Sequence, residues 1–519
     1  MTAPITALAA TPSASSSPVQ SQLLLWSAAG LLATANFLAV LDITIANVSV
    51  PNIAGNLGVS SSQGLWVITS YAVAEAITVP LTGWLAGRFG ALRVFCTAMA
   101  GFGLFSALCG LSTSLEMLVL FRVLQGMAGG PLIPLSQTLL LLIFPKKQQP
   151  IALALLSMTT LIAPIVGPIL GGQLCDNLGW PSIFYVNVPI AFVCAPLAFW
   201  LLRAKETPTT KARVDGIGLV LLVIWVGALQ IMLDLGKEHD WFESTMVVWL
   251  AVIAIIGFLA FLIWELTDAN PIVSLKVFRH RGFAASMVAL PLAFGAFFAG
   301  NVLTPLWLQS NMGYTATWAG YVSGTIGILA VFAAPMAAIL STKIDPRRII
   351  FVGILWLAFT LYMRASSTSD MDYWSITIWV FLGGLGLPLF FLPLTQIALA
   401  SVDPEETAGA AGVMSFIRTL SSAVATSIVN TVWENGASYN QSELSGELNG
   451  AQSSIDGLMQ YGMSHDQAVG TLTNIAYGQA VMLSTNQVFL AAAACFLVAA
   501  AAIWLAPRPT RVANPAMAH

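Results

Sequence analysis

Apolar side chains in this chain come in long runs, and polar ones gather in short stretches between them. The runs fall at about 23–46, 64–86, 92–111, 115–142, 151–174, 183–202, 215–235, 245–266, 283–308, 317–341, 348–364, 374–399, 407–432 and 486–506. A helix needs roughly 20 apolar residues to cross the hydrocarbon core of a bilayer. The pattern therefore predicts an all-α membrane protein with fourteen transmembrane helices. Composition agrees: 57% of the 519 residues are hydrophobic and only 8% charged, against about 25% charged in soluble domains.

Lysine and arginine set the orientation. With the N-terminus cytoplasmic, sixteen of the 20 basic side chains lie inside, only Lys237 and Arg364 lie outside, and Arg122 and Arg418 fall within spans. An error in the span count would mix the two groups, so both termini are expected in the cytoplasm. Tryptophans near span ends, Trp180 and Trp433 among them, read as interfacial anchors. Pro80, Gly83, Leu85, Arg88 and Arg93 match Pro335, Ala338, Leu340, Lys343 and Arg348 at one constant offset. This short repeat suggests two six-helix halves, 22–205 and 276–506, with two inserted linker helices in 206–275. Residues 1–21 read as a disordered N-terminal tail and 507–519 as a cytoplasmic C-terminal tail. The polar stretch 433–484 reads as a long periplasmic loop.

Ionisable groups inside apolar spans carry the chemical information, since each is costly there and tends to face a bundle interior or a wet cavity. Asp42 in the first span reads as a proton-coupling acid or as a helix-packing group near the outer end. Glu75 in the second span is a second candidate proton or cation site. Arg122 in the fourth span stays charged and needs a partner, with Gln125 one turn away on the same face. It reads as part of a proton relay or as a static ion pair. Arg418 in the thirteenth span reads as a substrate or coupling residue, or as half of a structural pair. Pro164, Gly167, Pro168, Gly171 and Gly172 in the fifth span suit a hinge or a close packing seam. The turn from Gly83 through Arg88 to Gly90 suits a conformational latch or an ordinary basic loop.

A net charge of -3 argues against a nucleic-acid partner. The five cysteines form no Cys-x-x-Cys pair and the four histidines lie outside the apolar runs, so no metal site is expected. There is no Gly-x-x-x-x-Gly-Lys-Ser/Thr phosphate loop and no room for a nucleotide-binding domain, so no cofactor is expected and the proton motive force is the expected energy source. Catalytic motifs such as Gly-x-Ser-x-Gly are missing too, so the chain reads as a secondary active transporter rather than an enzyme.

These motifs together resemble the major facilitator superfamily in its fourteen-span drug:proton antiporter branch. The resemblance rests on Leu41-Asp42-x-Thr44-Ile45-x-Asn47, the turn from Gly83 to Arg93, Arg122 to Gly126, Gly167-Pro168-x-x-Gly171-Gly172 and Ile183 to Pro189. Within that branch, Trp66 to Ser70, Pro131 to Gln137, Gln230 to Asp234, Trp264 to Asp268 and Tyr314 to Gly320 are similar to the EmrB type of Gram-negative exporter. Gly87 stands where the superfamily turn usually has an acid, Pro181-Ser182 replaces the more usual Arg-Trp pair, and Glu75 belongs to no shared motif. The resemblance implies a proton-relay role for Arg122 and an antiporter role for the fifth-span motif. It implies export of varied hydrophobic compounds from a bacterial inner membrane, with a periplasmic adaptor and a TolC-type outer-membrane channel as partners. Residues 433–484 are the expected docking element. The alternatives are a proton-coupled nutrient or metabolite transporter of the same fold and, from another class, a membrane sensor or membrane-embedded enzyme.

Overall fold

The computed structural model describes residues 18–145, 148–209, 215–268, 271–403, 406–447 and 450–508. Most of both predicted tails, together with Lys146, Lys147, Lys211, Arg213 and Arg511, therefore lies outside the described residues.

The described chain is built from helices. In the first half these are α1 (Pro18–Leu57), α2 (Ser61–Gly64), α3 (Trp66–Thr78), α4 (Thr82–Phe89), α5 (Ala91–Gly110), α6 (Leu115–Gly129), α7 (Leu132–Ile143), α8 (Gln149–Leu178), α9 (Ser182–Tyr185) and α10 (Asn187–Leu202). Two inserted helices follow, α11 (Gly216–Leu235) and α12 (Thr245–Thr267). The second half holds α13 (Arg281–Ser310), α14 (Ala316–Lys343), α15 (Pro346–Arg364), α16 (Tyr373–Ala400), α17 (Thr407–Glu447), α18 (Ala451–Gln460) and α19 (His465–Ala502).

Twelve stretches are long and apolar enough to cross a bilayer, and α3 with α4 makes a thirteenth crossing bent by 55°. The bend falls at Pro80, which removes a helical N–H and crowds the preceding turn. Helix α8, of 30 residues, brings the crossings to fourteen. The inserted helices pack on each other, and α11 also touches α3 of the first half and α17 of the second.

The stretch 433–484 is not an open loop. Helix α17 continues to Glu447, α19 begins at His465, and α18 lies between them, so the thirteenth and fourteenth spans extend beyond the bilayer as a helical hairpin. No proline interrupts 433–484, and a Ser464–Gln467 capping box starts α19. Gly450 (φ 100°) and Gly462 (φ 94°) make the turns, in a region glycine occupies without strain. Polar side chains lock the two arms together. The Trp433 indole donates to Thr485 Oγ1 (2.8 Å), and Asn440 Nδ2 donates to the Ala480 carbonyl (3.3 Å). Trp433 is thus buried inside the hairpin rather than anchored at the interface, and Trp180 is buried as well.

The hydrogen bonds that join the two halves gather on the side carrying this hairpin. Gln309 Nε2 donates to the Val48 carbonyl (2.8 Å), the Thr317 N–H to Asp176 (2.7 Å) and Gln173 Nε2 to the Tyr321 hydroxyl (2.8 Å). On the opposite, lysine- and arginine-rich side, α4 packs on α5 and α7 of its own half. The halves are therefore closed together on the hairpin side.

Candidate functional site

A charged group in the middle of a helix bundle must meet its partners within the protein, because no water is there to do so. In the first half that requirement builds one compact cluster. Asp42, mid-way along α1 rather than near its outer end, is wholly buried. Arg122 from α6 donates to one carboxylate oxygen (2.5 Å), while Gln125 (2.9 Å) and Asn187 (2.6 Å) donate to the other. Arg122 also donates to Gln125 Oε1 (2.9 Å) and to the Val67 carbonyl of α3 (2.8 Å). Its guanidinium carbon lies 4.2 Å from the Tyr71 ring centroid and 5.6 Å from that of Phe184. Six helices meet here, since Ser106 of α5 accepts from Asn187 of α10 (3.2 Å) and donates to the Phe184 carbonyl of α9 (2.8 Å).

Glu75, on α3, stands apart from this cluster. It is 4% exposed, and its Oε2 has no hydrogen-bond partner among the described residues. Of the charges around it, that of Arg418 on α17 acts most strongly, followed by Asp42 and Arg122. Arg418 belongs to the opposite half. Its guanidinium carbon lies 5.7 Å from the Phe391 ring centroid and 6.0 Å from that of Phe294. The five predicted groups thus divide into a closed set, Asp42, Arg122 and Gln125, and two groups outside it, Glu75 and Arg418.

The fifth-span glycines make the crossings of α8. A Cβ on Gly167 would collide with Thr44 of α1, and one on Gly171 would lie 2.7 Å from the Ile45 carbonyl oxygen. One on Gly172 would strike the Ala316 carbonyl of α14, across the two halves. Helix α8 passes Pro164 and Pro168 without a break. At the other end of the bundle, Arg88 closes α4 and Gly90 adopts φ 93°. Glu206, beyond the sixth span, accepts the N–H groups of Leu92 (3.0 Å) and Arg93 (3.2 Å) at the start of α5. A carboxylate there suits the positive end of the helix dipole. This chain has no acid at position 87, and the carboxylate at this turn comes from Glu206.

Sequence reasoning assigned no role to Asn187, Asp234 or Arg364. Asp234 on α11 accepts from Thr69 of α3 (2.9 Å), Gln230 (2.9 Å) and Ser427 of α17 (2.5 Å), so one inserted carboxylate ties both halves together. Asn187 and Asp234 are polar residues at the edge of or within apolar runs, the same signal that singled out Asp42. Arg364, expected outside, is buried against Phe489. On the lysine- and arginine-rich side, Arg279 pairs with Asp403 (2.9 Å) and Glu406 (3.0 Å), and His280 lies 2.9 Å from Glu406.

The superfamily description Major Facilitator Superfamily matches residues 32–426. The chain is 44% identical over 483 residues to Multidrug export protein EmrB of Escherichia coli (strain K12), covering 92% of this chain and 94% of that one. It is 41% identical over 482 residues to Fatty acid resistance protein FarB of Neisseria gonorrhoeae, covering 92% and 95%. Among solved structures it is similar in fold to a bacterial homolog of the human lysosomal transporter Spinster, inward-facing and unoccupied (TM-score 0.60, 17% identity, covering 94% and 98%). It is also similar to the POT family transporter PepTSo (TM-score 0.61, 15% identity, covering 93% and 99%). The chain is thus a multi-pass membrane transporter that belongs to the major facilitator superfamily, in the group that contains EmrB and FarB.

Proposed function

We propose that this chain is a proton-driven antiporter that exports hydrophobic small molecules across a bacterial inner membrane by alternating access between its two halves. The relatives' names, one for multidrug export and one for fatty acid resistance, support the direction and the class of cargo. The cross-half bonds on the hairpin side support a state that is closed to the periplasm and receives cargo from the cytoplasm.

The observation that carries the reading is Glu75. A buried carboxylate oxygen without a donor is satisfied by a proton or by a donor group of the cargo, and one site cannot hold both. That competition is antiport. Asp42 completes the set. Protonating it would take from Arg122 the one carboxylate within ion-pair distance among the described residues, a change large enough to shift the packing of α1, α3 and α6. A proton from the periplasm loads the set and releases cargo outward, and deprotonation toward the cytoplasm reopens the cargo site. The membrane potential contributes about 2.3 kcal/mol per charge per 100 mV if the exchange moves net charge.

In proteoliposomes with an imposed pH gradient, Glu75→Gln and Asp42→Asn are expected to lose gradient-driven accumulation while keeping solute counterflow. Wild-type accumulation in both variants would remove these residues from the mechanism.

A periplasmic adaptor and a TolC-type channel complete the proposed assembly, with the α17–α18–α19 hairpin as the docking element. Tyr439, Tyr461 and Ile475 are exposed on it, as side chains that make protein contacts often are. Deleting 448–463 should abolish adaptor pull-down and leave vesicle transport intact. An unchanged pull-down would refute docking at the hairpin.

A further inference from the structure

A cavity of about 30 Å³ lies inside the second half, between α13, α14, α15, α16 and α19. Arg364, the last residue of α15, lines it. Its guanidinium rests on Phe489, with its carbon 4.2 Å from the ring centroid, and donates to Thr304 Oγ1. A guanidinium offers five N–H donors, more than the Thr304 hydroxyl can accept. The negative end of the α15 dipole offsets part of the charge but fills none of the donors.

Two further observations point the same way. Ser323 is 5% exposed, and its hydroxyl oxygen has no hydrogen-bond partner among the described residues. Asn301 reaches the same cavity, and its amide makes no hydrogen bond among the described residues. No aspartate or glutamate lines the space. A buried cation and two idle polar groups therefore converge on a volume with no acid of its own. Such a set is satisfied by a ligand that accepts hydrogen bonds and carries negative charge. The volume suits one small group, since a single water needs about 10–15 Å³ on this measure. Phe297, Leu361, Trp379 and Phe496 complete the wall, so only the headgroup of a longer molecule fits inside.

We propose that the Arg364–Asn301–Ser323 cavity binds one monovalent anionic group. A carboxylate on an amphipathic acid and a free halide share that chemistry. If the carboxylate is the occupant, the site names a cargo class, which rests on the exporter reading above.

The test is isothermal titration of the purified full chain in detergent with sodium octanoate, sodium chloride and octan-1-ol. Octanoate is expected to bind, octan-1-ol not to displace it, and Arg364→Gln to weaken binding about tenfold or more, the loss of one charge-assisted contact. Should Arg364→Gln fail to fold, Asn301→Ala and Ser323→Ala keep the cation and are each expected to weaken binding several-fold. Chloride binding that depends on Arg364, without octanoate binding, supports the anion site with a halide as occupant. Absence of anion binding in the wild type, or affinities unchanged in all three variants, overturns the proposal. A protein that binds octanoate through Arg364 yet moves no solute would overturn the exporter reading and leave the site standing.

Discussion

Arg122 in the first half and Arg364 in the second are both buried cations, and their surroundings differ in one respect. Arg122 has a carboxylate at 2.5 Å and a shell of Gln125, the Val67 carbonyl and Tyr71. Arg364 has a hydroxyl, an aromatic face and a cavity. In the first case the charge is neutralised inside the protein and the helices close on it. In the second the charge is left for something outside the chain to meet. The same desolvation cost is thus met by a carboxylate of the chain in one half and by no carboxylate of the described residues in the other. Glu75 and Arg418 lie between these extremes, because each feels the other's charge and they stand in different halves of the chain.

The largest effect should come from opening the sealed cluster. Arg122→Leu strands Asp42 and is expected to cost about 3–5 kcal/mol, read as a fall in the denaturation midpoint of the purified protein. The double variant Asp42→Asn/Arg122→Gln, which removes both charges, should recover most of that loss. Next comes the seam between halves. Gly172→Ala puts a methyl group against the Ala316 carbonyl, and should disfavour the state closed on the hairpin side by about 1–3 kcal/mol. Cross-linking between cysteines placed at positions 173 and 321 would report it as a lower yield. Gly227→Ala, where nothing lies within 4 Å, should leave the yield unchanged. Arg364→Gln sharpens the contrast with Arg122. Because it removes an unpaired charge, its midpoint should stay within about 1 kcal/mol of wild type or rise. A loss as large as that of Arg122→Leu would mean that Arg364 is a structural pair member after all.

The smallest effect is at Asp345, outside the spans. The Arg347 side chain, bonded at 2.8 Å, and the Arg347 N–H hold its carboxyl below the ordinary value of 3.8. Its folded form therefore favours the charged state. The stability it adds is present above pH 3.8 and is lost as the pH falls through its lower folded value. Asp345→Asn should flatten the acid end of the stability profile by less than about 1 kcal/mol, since the site is partly solvated.

Much of the architecture was legible because the bilayer imposes a length rule that sequence obeys directly. The fourteen runs correspond to fourteen crossings, and Asp42, Arg122 and Gln125 could be marked as ionisable or polar groups in apolar helices. Their mutual contact could not be read, because Asp42 and Arg122 are 80 residues apart and only packing brings α1 to α6. Asn187 and Asp234 carried the same signal of a polar residue in an apolar run and received no role. The 433–484 hairpin was misread as a loop because polarity marks departure from the bilayer, not departure from helix. Its proline-free sequence and the Ser464 capping box were the available signs. The burial of Arg364 was missed for a related reason. Charge at a span end normally reaches water, whereas here α19 covers it with Phe489.

The central claim is that cargo and proton compete for the Glu75 site. Adding a transported lipophilic compound to the purified protein in weakly buffered detergent solution tests it most directly, with a pH indicator reporting proton release. The account predicts that the wild type releases protons as the compound binds, and that Glu75→Gln binds the compound with that release abolished or sharply reduced. A wild-type protein that binds its compound without releasing any proton, or a Glu75→Gln variant that releases as many as the wild type, would contradict it.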